Sequence, residues 1–251
     1  MRPASSFRQL LRWAEALRTR TRTSRPPAIG ATSSGEGQAG RVFAGNQSVL
    51  EQPLLVFDLE TSGLDLQRDT VLSIGAVRIE HNAIPLTGHV DHVLQTDVSL
   101  KADSQLLHGL SREDLKQGAA PAEALRHLLD YGAGCIWLAF HAGFDQRMLD
   151  RAMRHHLNIG FRQTLFDIAT LAPMLFPEHH VPTSSLDHWA KCLGLDSTAR
   201  HSAVADAMLT AEITLILLHQ AQQQGLHTWQ QLAGAARRWR QIQDSSPGPL
   251  F

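Results

Sequence analysis

The chain is poor in cysteine, in unbroken apolar sequence and, over its first 25 residues, in acid; each shortage excludes something. Two cysteines in 251 residues cannot build the disulfide framework of a small secreted domain. With Cys135 inside an apolar run, they fit a reduced, cytoplasmic setting. No stretch approaches the roughly 18 consecutive apolar residues of a membrane span, so no membrane partner is expected. The 14 histidines make no zinc pattern: His155-His156 and His179-His180 have no matching Cys or His spacing and read as surface groups. Apolar sequence is plentiful, 43% of the chain, enough for one sizeable core plus extensions.

Residues 1–25 hold seven arginines against Glu15 alone, a net charge of +6, which leaves about −7 on the rest. Phe7, Leu10, Leu11, Ala14 and Leu17 form a helical stripe in this arm. It could hold phosphates, bind an acidic partner, pack loosely on the body or act as an organellar transit peptide. A Pro-, Gly- and Ser-rich stretch from Pro26 to Ser48 reads as a flexible linker. The expected division is a basic segment 1–25, a linker 26–52, a body 53–225, and a C-terminal helix and tail 226–251.

Chemistry concentrates in three strings. In FDLETSGLD (57–65), Asp58 and Glu60 stand two apart in an apolar run. Strand residues i and i+2 share a face. Leu55, Phe57 and Leu59 can therefore face the core while both carboxylates project from the other side. Like charges so placed repel, and a hard divalent cation with its preference for oxygen relieves that cost. Thr61, Ser62 and Gly63 end the strand, so the carboxylates lie beside a loop, where α/β sheets tend to place ligands. In FHAGFDQRML (140–149), a buried-strand pattern gives way to helical spacing at Phe144, Met148, Leu149 and Ala152. Asp145 falls in the first turn of that helix, where the dipole alone would favour it by roughly 0.3–1 kcal/mol. In RHSAVADA (200–207), Ser202 is the expected N-cap of a long helix. His201 on the preceding loop and Asp206 in the first turn or so can then both face the site.

Together the strings resemble the motifs of the DEDDh 3′→5′ exonucleases, the DnaQ-like family that includes the proofreading subunit of bacterial DNA polymerase III. The likeness runs from about Pro53 to Gly225 and takes in VLSIGAVRI (71–79), LHGLS (107–111) and SLDHWAKCLGL (185–195). One departure is Phe140-His141, where many relatives carry His-Asn. The resemblance implies two divalent cations, Mg²⁺ or Mn²⁺. Asp58, Glu60 and Asp206 would hold the first, Asp58 would also bridge to the second, and Asp145 would act on the second through water. His201 would take the proton from the attacking water; its ordinary pKa near 6.5 suits that task. Thr61 and Leu64 match the family's 3′-end-binding loop, with Leu64 against the last base, and His141 is counted with them as substrate-binding. The implied substrate is a single-stranded or frayed 3′ end of nucleic acid, DNA favoured, releasing nucleoside 5′-monophosphates. RNA 3′ ends remain a rival substrate. The alternative from another class is a non-catalytic role, as a nucleic-acid-binding subunit or as an interaction subunit docking on a polymerase or other protein through the tails.

The body reads as α/β. Strands are expected at 54–60, 71–80, 88–95, 135–140 and 163–167, the first three as an antiparallel meander. Helices are expected at 121–131, 143–155, 184–193, 203–224 and 228–242. This order matches the family's ribonuclease-H-like mixed sheet flanked by helices. The last helix carries Trp229, Trp239, Arg237, Arg238 and Arg240, and reads as an amphipathic helix on the domain rather than a stacking platform.

Overall fold

The computed structural model describes residues 46–85, 87–98, 108–181, 184–196 and 202–245. LLVFDLET forms β1 (Leu54–Thr61) and VLSIGAVRI forms β2 (Val71–Ile79); short turns then return the chain into β3 (Val90–Val93). Short connections allow only antiparallel neighbours, and β1–β2 and β2–β3 pair that way. Two helices, α1 (Arg112–Gln117) and α2 (Pro121–Tyr131), carry the chain across to β4 (Ile136–Ala139), which lies parallel to β1. A third, α3 (Ala142–Leu157), leads to β5 (Leu165–Asp167), parallel to β4. The sheet order is β3-β2-β1-β4-β5. Thereafter come α4 (Ile168–Leu175), a 3₁₀ turn, α5 (Leu186–Cys192), α6 (Ala203–Gln223) and α7 (Trp229–Ser245). This is the mixed, helix-flanked sheet of the ribonuclease-H-like class.

Each face of the sheet has its own core. Leu55, Phe57, Leu59, Ile74 and Trp137 pack with α2 and α3. Leu54, Val56, Val77, Ile136 and Leu138 pack with α4, α5, α6 and α7. The central helix α6 is buried on most of its circumference. Among the described residues it alone is long and apolar enough on average to cross a membrane, but 67% of that window lies inside the protein.

Several expectations are corrected. The strand expected at 88–95 is the four-residue β3. Helix α1 was not expected, although Ser111 and Asp114 form a reciprocal capping box, with Asp114 N–H donating to Ser111 Oγ at 3.1 Å and Ser111 N–H to Asp114 Oδ2 at 2.8 Å. Helix α4 was hidden by Pro173, a helix breaker that here costs one backbone bond late in a short, buried helix. The linker does not extend to Gln52. Val49 is fully buried, its N–H donates to His227 O at 3.0 Å, and Ser48 bridges Thr228. The last helix packs on the domain as expected: Trp229 and Leu232 of α7 are buried, Trp229 edge-on to Phe166 at 4.7 Å. The segment 1–25, residues 26–45 and the tail beyond Ser245 lie outside the described residues.

Candidate active site

Alternation along β1 sorts its side chains as expected, for Phe57 and Leu59 are buried while Asp58 and Glu60 are half-buried. The acidic pair continues the row begun by Leu54 and Val56, so one face of β1 changes from apolar to acidic along its length. A register shift between Glu60 and Thr61 breaks the ladder with β2. Bulges of this kind re-aim side chains at sheet ends. The parallel pairing of β1 with β4 brings their carboxyl ends to the same edge of the sheet, Glu60 and Thr61 on one strand and Phe140 and His141 after the other.

Asp206 arrives from α6. Directly opposite Asp58 in the ladder stands Gly75. A Cβ on Gly75 would lie 2.1 Å from the Ala203 carbonyl carbon and from the Val204 nitrogen. The first turn of α6 thus rests on β2 where only glycine fits. Asp206, buried one turn in, meets the strand pair, and one carboxylate oxygen from each of Asp58, Glu60 and Asp206 lies within 4.8 Å of the other two. Ser202 holds the N-cap position, but its hydroxyl makes no capping bond.

Asp145, in the first turn of α3, is only 4% exposed. Burial, then the charges of Asp167 and Glu60, push its carboxyl well above the ordinary carboxylate range. A helix N-terminus favours the charged form by about 0.3–1 kcal/mol, so the opposing terms win here. A nearby hard cation would reverse the balance, and the three acids Asp58, Glu60 and Asp206 stand close enough to share one.

Asp167 was missed in the sequence. It is the N-cap of α4, its Oδ1 accepting from Ala169 N–H at 3.2 Å and its Oδ2 from the Thr170 hydroxyl at 2.8 Å. Oδ1 also accepts from Ala142 N–H at 3.2 Å, tying the start of α3 to the end of β5. The available signal was an aspartate directly before an apolar run, which is what an N-cap requires. Gly75 was read only as part of a strand.

The substrate positions are placed as follows. Thr61 is half-buried at the end of β1 and donates to Gly63 O at 2.8 Å. Leu64 is 83% exposed. His141 is exposed at the N-cap of α3 in the left-handed region (φ 61°, ψ 42°), its ring against Phe140 at 4.7 Å. A non-glycine residue there costs roughly 1–3 kcal/mol. His201 lies outside the described residues.

Residues 55–214 match the exonuclease family RNase_T, and the chain belongs to that family. Members of that family depend on divalent metal, and the acidic cluster here is of the matching kind. The DnaQ-like resemblance read from the sequence holds among curated proteins. The chain is 32% identical to the DNA polymerase III subunit epsilon-like protein of Rhodobacter capsulatus, covering 74% of this chain and 27% of that protein. To the PolC-type DNA polymerase III of Caldanaerobacter subterraneus it is 26% identical, over 72% of this chain and 13% of that protein. To the 3′-5′ exonuclease DinG of Staphylococcus saprophyticus it is also 26% identical, covering 70% and 19%. The chain therefore spans less than a third of the length of these relatives. Among solved structures, Escherichia coli exonuclease I in complex with a dA16 oligonucleotide aligns with a TM-score of 0.60 at 15% identity, covering 69% of this chain and 42% of that one. Exonuclease X in complex with 5′ overhanging duplex DNA aligns at 0.54 and 19% identity, covering 73% and 99%. At such identities the likeness is one of fold.

Proposed function

We propose that this protein is a metal-dependent 3′→5′ exonuclease that removes nucleoside 5′-monophosphates from single-stranded or frayed DNA 3′ ends. The observation that supports it most directly is the meeting of Asp58, Glu60 and Asp206 within 4.8 Å at the carboxyl end of β1. In this reading Asp58, Glu60 and Asp206 would hold one Mg²⁺ or Mn²⁺, and Asp58, with Asp145 through water, would serve a second. When bound, such ions supply Lewis acidity to the attacking water and the leaving oxygen. His201 takes the water's proton. Leu64, exposed on its loop, would pack against the terminal base, with Thr61 and His141, at the carboxyl ends of β1 and β4, as further substrate contacts. Exonuclease I and exonuclease X, whose fold this chain shares, are both known in complex with DNA, which accords with a nucleic-acid substrate. A polymerase partner accords with the polymerase-type relatives.

The deciding experiment is digestion of 3′-labelled and 5′-labelled single-stranded DNA and RNA with Mg²⁺ or Mn²⁺, and again in EDTA. The expected result is mononucleotide release from the 3′ end, faster on DNA, and none in chelator. Cleavage that persists in EDTA, or begins at a 5′ end, would overturn the reading. Preferential digestion of RNA would keep the reaction and change the substrate.

A further inference from the structure

The loop that presents Leu64 has one apolar anchor, Leu66, half-buried against the core on the α2–α3 face of the sheet. From Ser62 to Thr70 only Ser62 is buried, and Leu64 points into solvent. Polar bonds supply the rest of its support. The Asp69 carboxylate accepts from the Ser62 hydroxyl at 3.0 Å and from Asp65 N–H at 2.8 Å. Ser62 Oγ in turn accepts from Thr70 N–H at 3.0 Å, closing the base of the loop. Gly63 packs against that carboxylate so closely that a Cβ there would lie 2.4 Å from Asp69 Oδ2. From outside the loop, one nitrogen of Arg151, Nη1, donates to Leu66 O and to Asp69 O, both at 2.8 Å. Arg151 belongs to α3, the helix whose first turn carries Asp145.

We propose that Arg151 is a positioning residue for the substrate end. With Asp69 it latches the 62–70 loop to α3, so that Leu64 and the buried Asp145 keep a fixed relation. The inference rests on the reading of this loop as the 3′-end binder and adds what holds it. Charge-assisted bonds to two carbonyls are stronger than neutral ones, and one planar group reaches both. A loop held in its binding conformation before substrate arrives gives up less entropy on binding. The latch therefore acts on how tightly a 3′ end is held more than on the chemical step.

The test uses the full chain and three variants, Arg151→Met, Arg151→Lys and Gly63→Ala. Amide hydrogen exchange over 62–70 is read first, without substrate. Next come KM and kcat on a single-stranded 3′ end, and calorimetric Mn²⁺ titration. Arg151→Met is expected to speed exchange in the loop by about tenfold or more, since two charge-assisted bonds are lost. KM should rise by a similar factor while kcat and Mn²⁺ affinity stay within about twofold. Arg151→Lys, which keeps a charged donor, should recover most of both effects. Gly63→Ala, which displaces the Asp69 carboxylate from the other side, should resemble Arg151→Met. Unchanged exchange in both Arg151→Met and Gly63→Ala would overturn the latch, as would faster exchange with unchanged KM. A joint fall of kcat and Mn²⁺ affinity would make Arg151 a general structural residue and also overturn it. A wild-type protein that degrades no 3′ end would defeat the proposed function, whereas the exchange measurement would still decide whether the latch exists.

Discussion

Two carboxylate environments meet at the end of the sheet, and they are built differently. Asp58, Glu60 and Asp206 stand together, two of them half-buried, where a strand and a helix touch. Asp145 comes from α3, in the layer on the other face, and is almost wholly buried beside Asp167. The first group depends on a contact: strand alternation aims two acids, and Gly75 lets the backbone of α6 deliver the third. The second depends on an environment, in which a low-dielectric pocket and like charges make the ionised form costly without a cation. Geometry therefore limits the triad, and electrostatics limits Asp145. Damage to each should show in different measurements.

The largest effect is expected from removing a member of the triad. Asp206→Ala, or Asp58→Ala, deletes an oxygen from the cluster and should lower turnover by about 10³-fold or more, taking several kcal/mol of charge stabilisation at 1.36 kcal/mol per decade. Calorimetric Mn²⁺ titration should lose its heat in parallel. His201→Ala is the control, expected to cost 10²–10⁴-fold in rate with metal binding retained. If His201→Ala binds Mn²⁺ as poorly as Asp206→Ala, or turns over at nearly the wild-type rate, His201 is not the general base.

Next comes Gly75→Ala, which leaves every acid in place and moves only the contact. One methyl group must displace the Ala203–Val204 backbone, against which it overlaps at 2.1 Å. Overpacking costs about 1–3 kcal/mol, and a displacement near 1 Å can cost 10²-fold in rate. Loss of activity and Mn²⁺ affinity with a cooperative thermal transition retained is the expected pattern. Normal metal affinity in this variant would show that the α6 contact does not set the triad.

These assignments also show what a sequence can and cannot carry. The Asp58–Glu60 pair was legible because period-two alternation is local and leaves only one face for both acids. Asp206 was legible as an acid in an early turn, but its meeting with β1 depends on Gly75, and a strand pattern does not record which glycine lies under a helix. Asp167 went unread because capping of α4 and support of Ala142 are two jobs of one side chain, the second 25 residues away. Helix α4 was masked by Pro173, and the packing of Val49 against the start of α7 by the polar composition around it. For Gly75, for the bond from Ala142 to Asp167 and for Val49 the missing information was a long-range contact, whereas for α4 a local breaker signal pointed the wrong way.

A smaller effect separates support from ligation. Asp167→Ala should cost about 0.5–2 kcal/mol, the usual loss of an N-cap. It should also leave Ala142 N–H without its carboxylate partner and loosen the start of α3. Because Asp145 sits one turn on, activity should fall by roughly tenfold, as supporting partners of a metal site typically show. Chemical denaturation and a kcat measurement would check both. A loss of activity as deep as that of Asp206→Ala would instead make Asp167 a member of the cluster.

The smallest effect appears only in the absence of metal, in the pH dependence of the fold. The Asp145 carboxyl is raised well above 3.8 in the folded protein, by burial first and then by Asp167 and Glu60. The folded chain therefore holds this proton more tightly than the unfolded chain does. Its contribution to stability is fully present below the unfolded value and is lost as pH rises through the raised folded value. In EDTA, the thermal midpoint of the wild type should fall as pH climbs upward from the ordinary carboxylate range. Asp145→Asn carries no proton to lose, so its curve should be flatter over that window and should lie at or above the wild type at its upper end. Added Mn²⁺ should reverse the order, stabilising the wild type by mass action and the variant less. Parallel curves for the two proteins in EDTA would mean that Asp145 carries no unfavourable charge in the metal-free fold, and the contrast between the two carboxylate environments would fail at its electrostatic end.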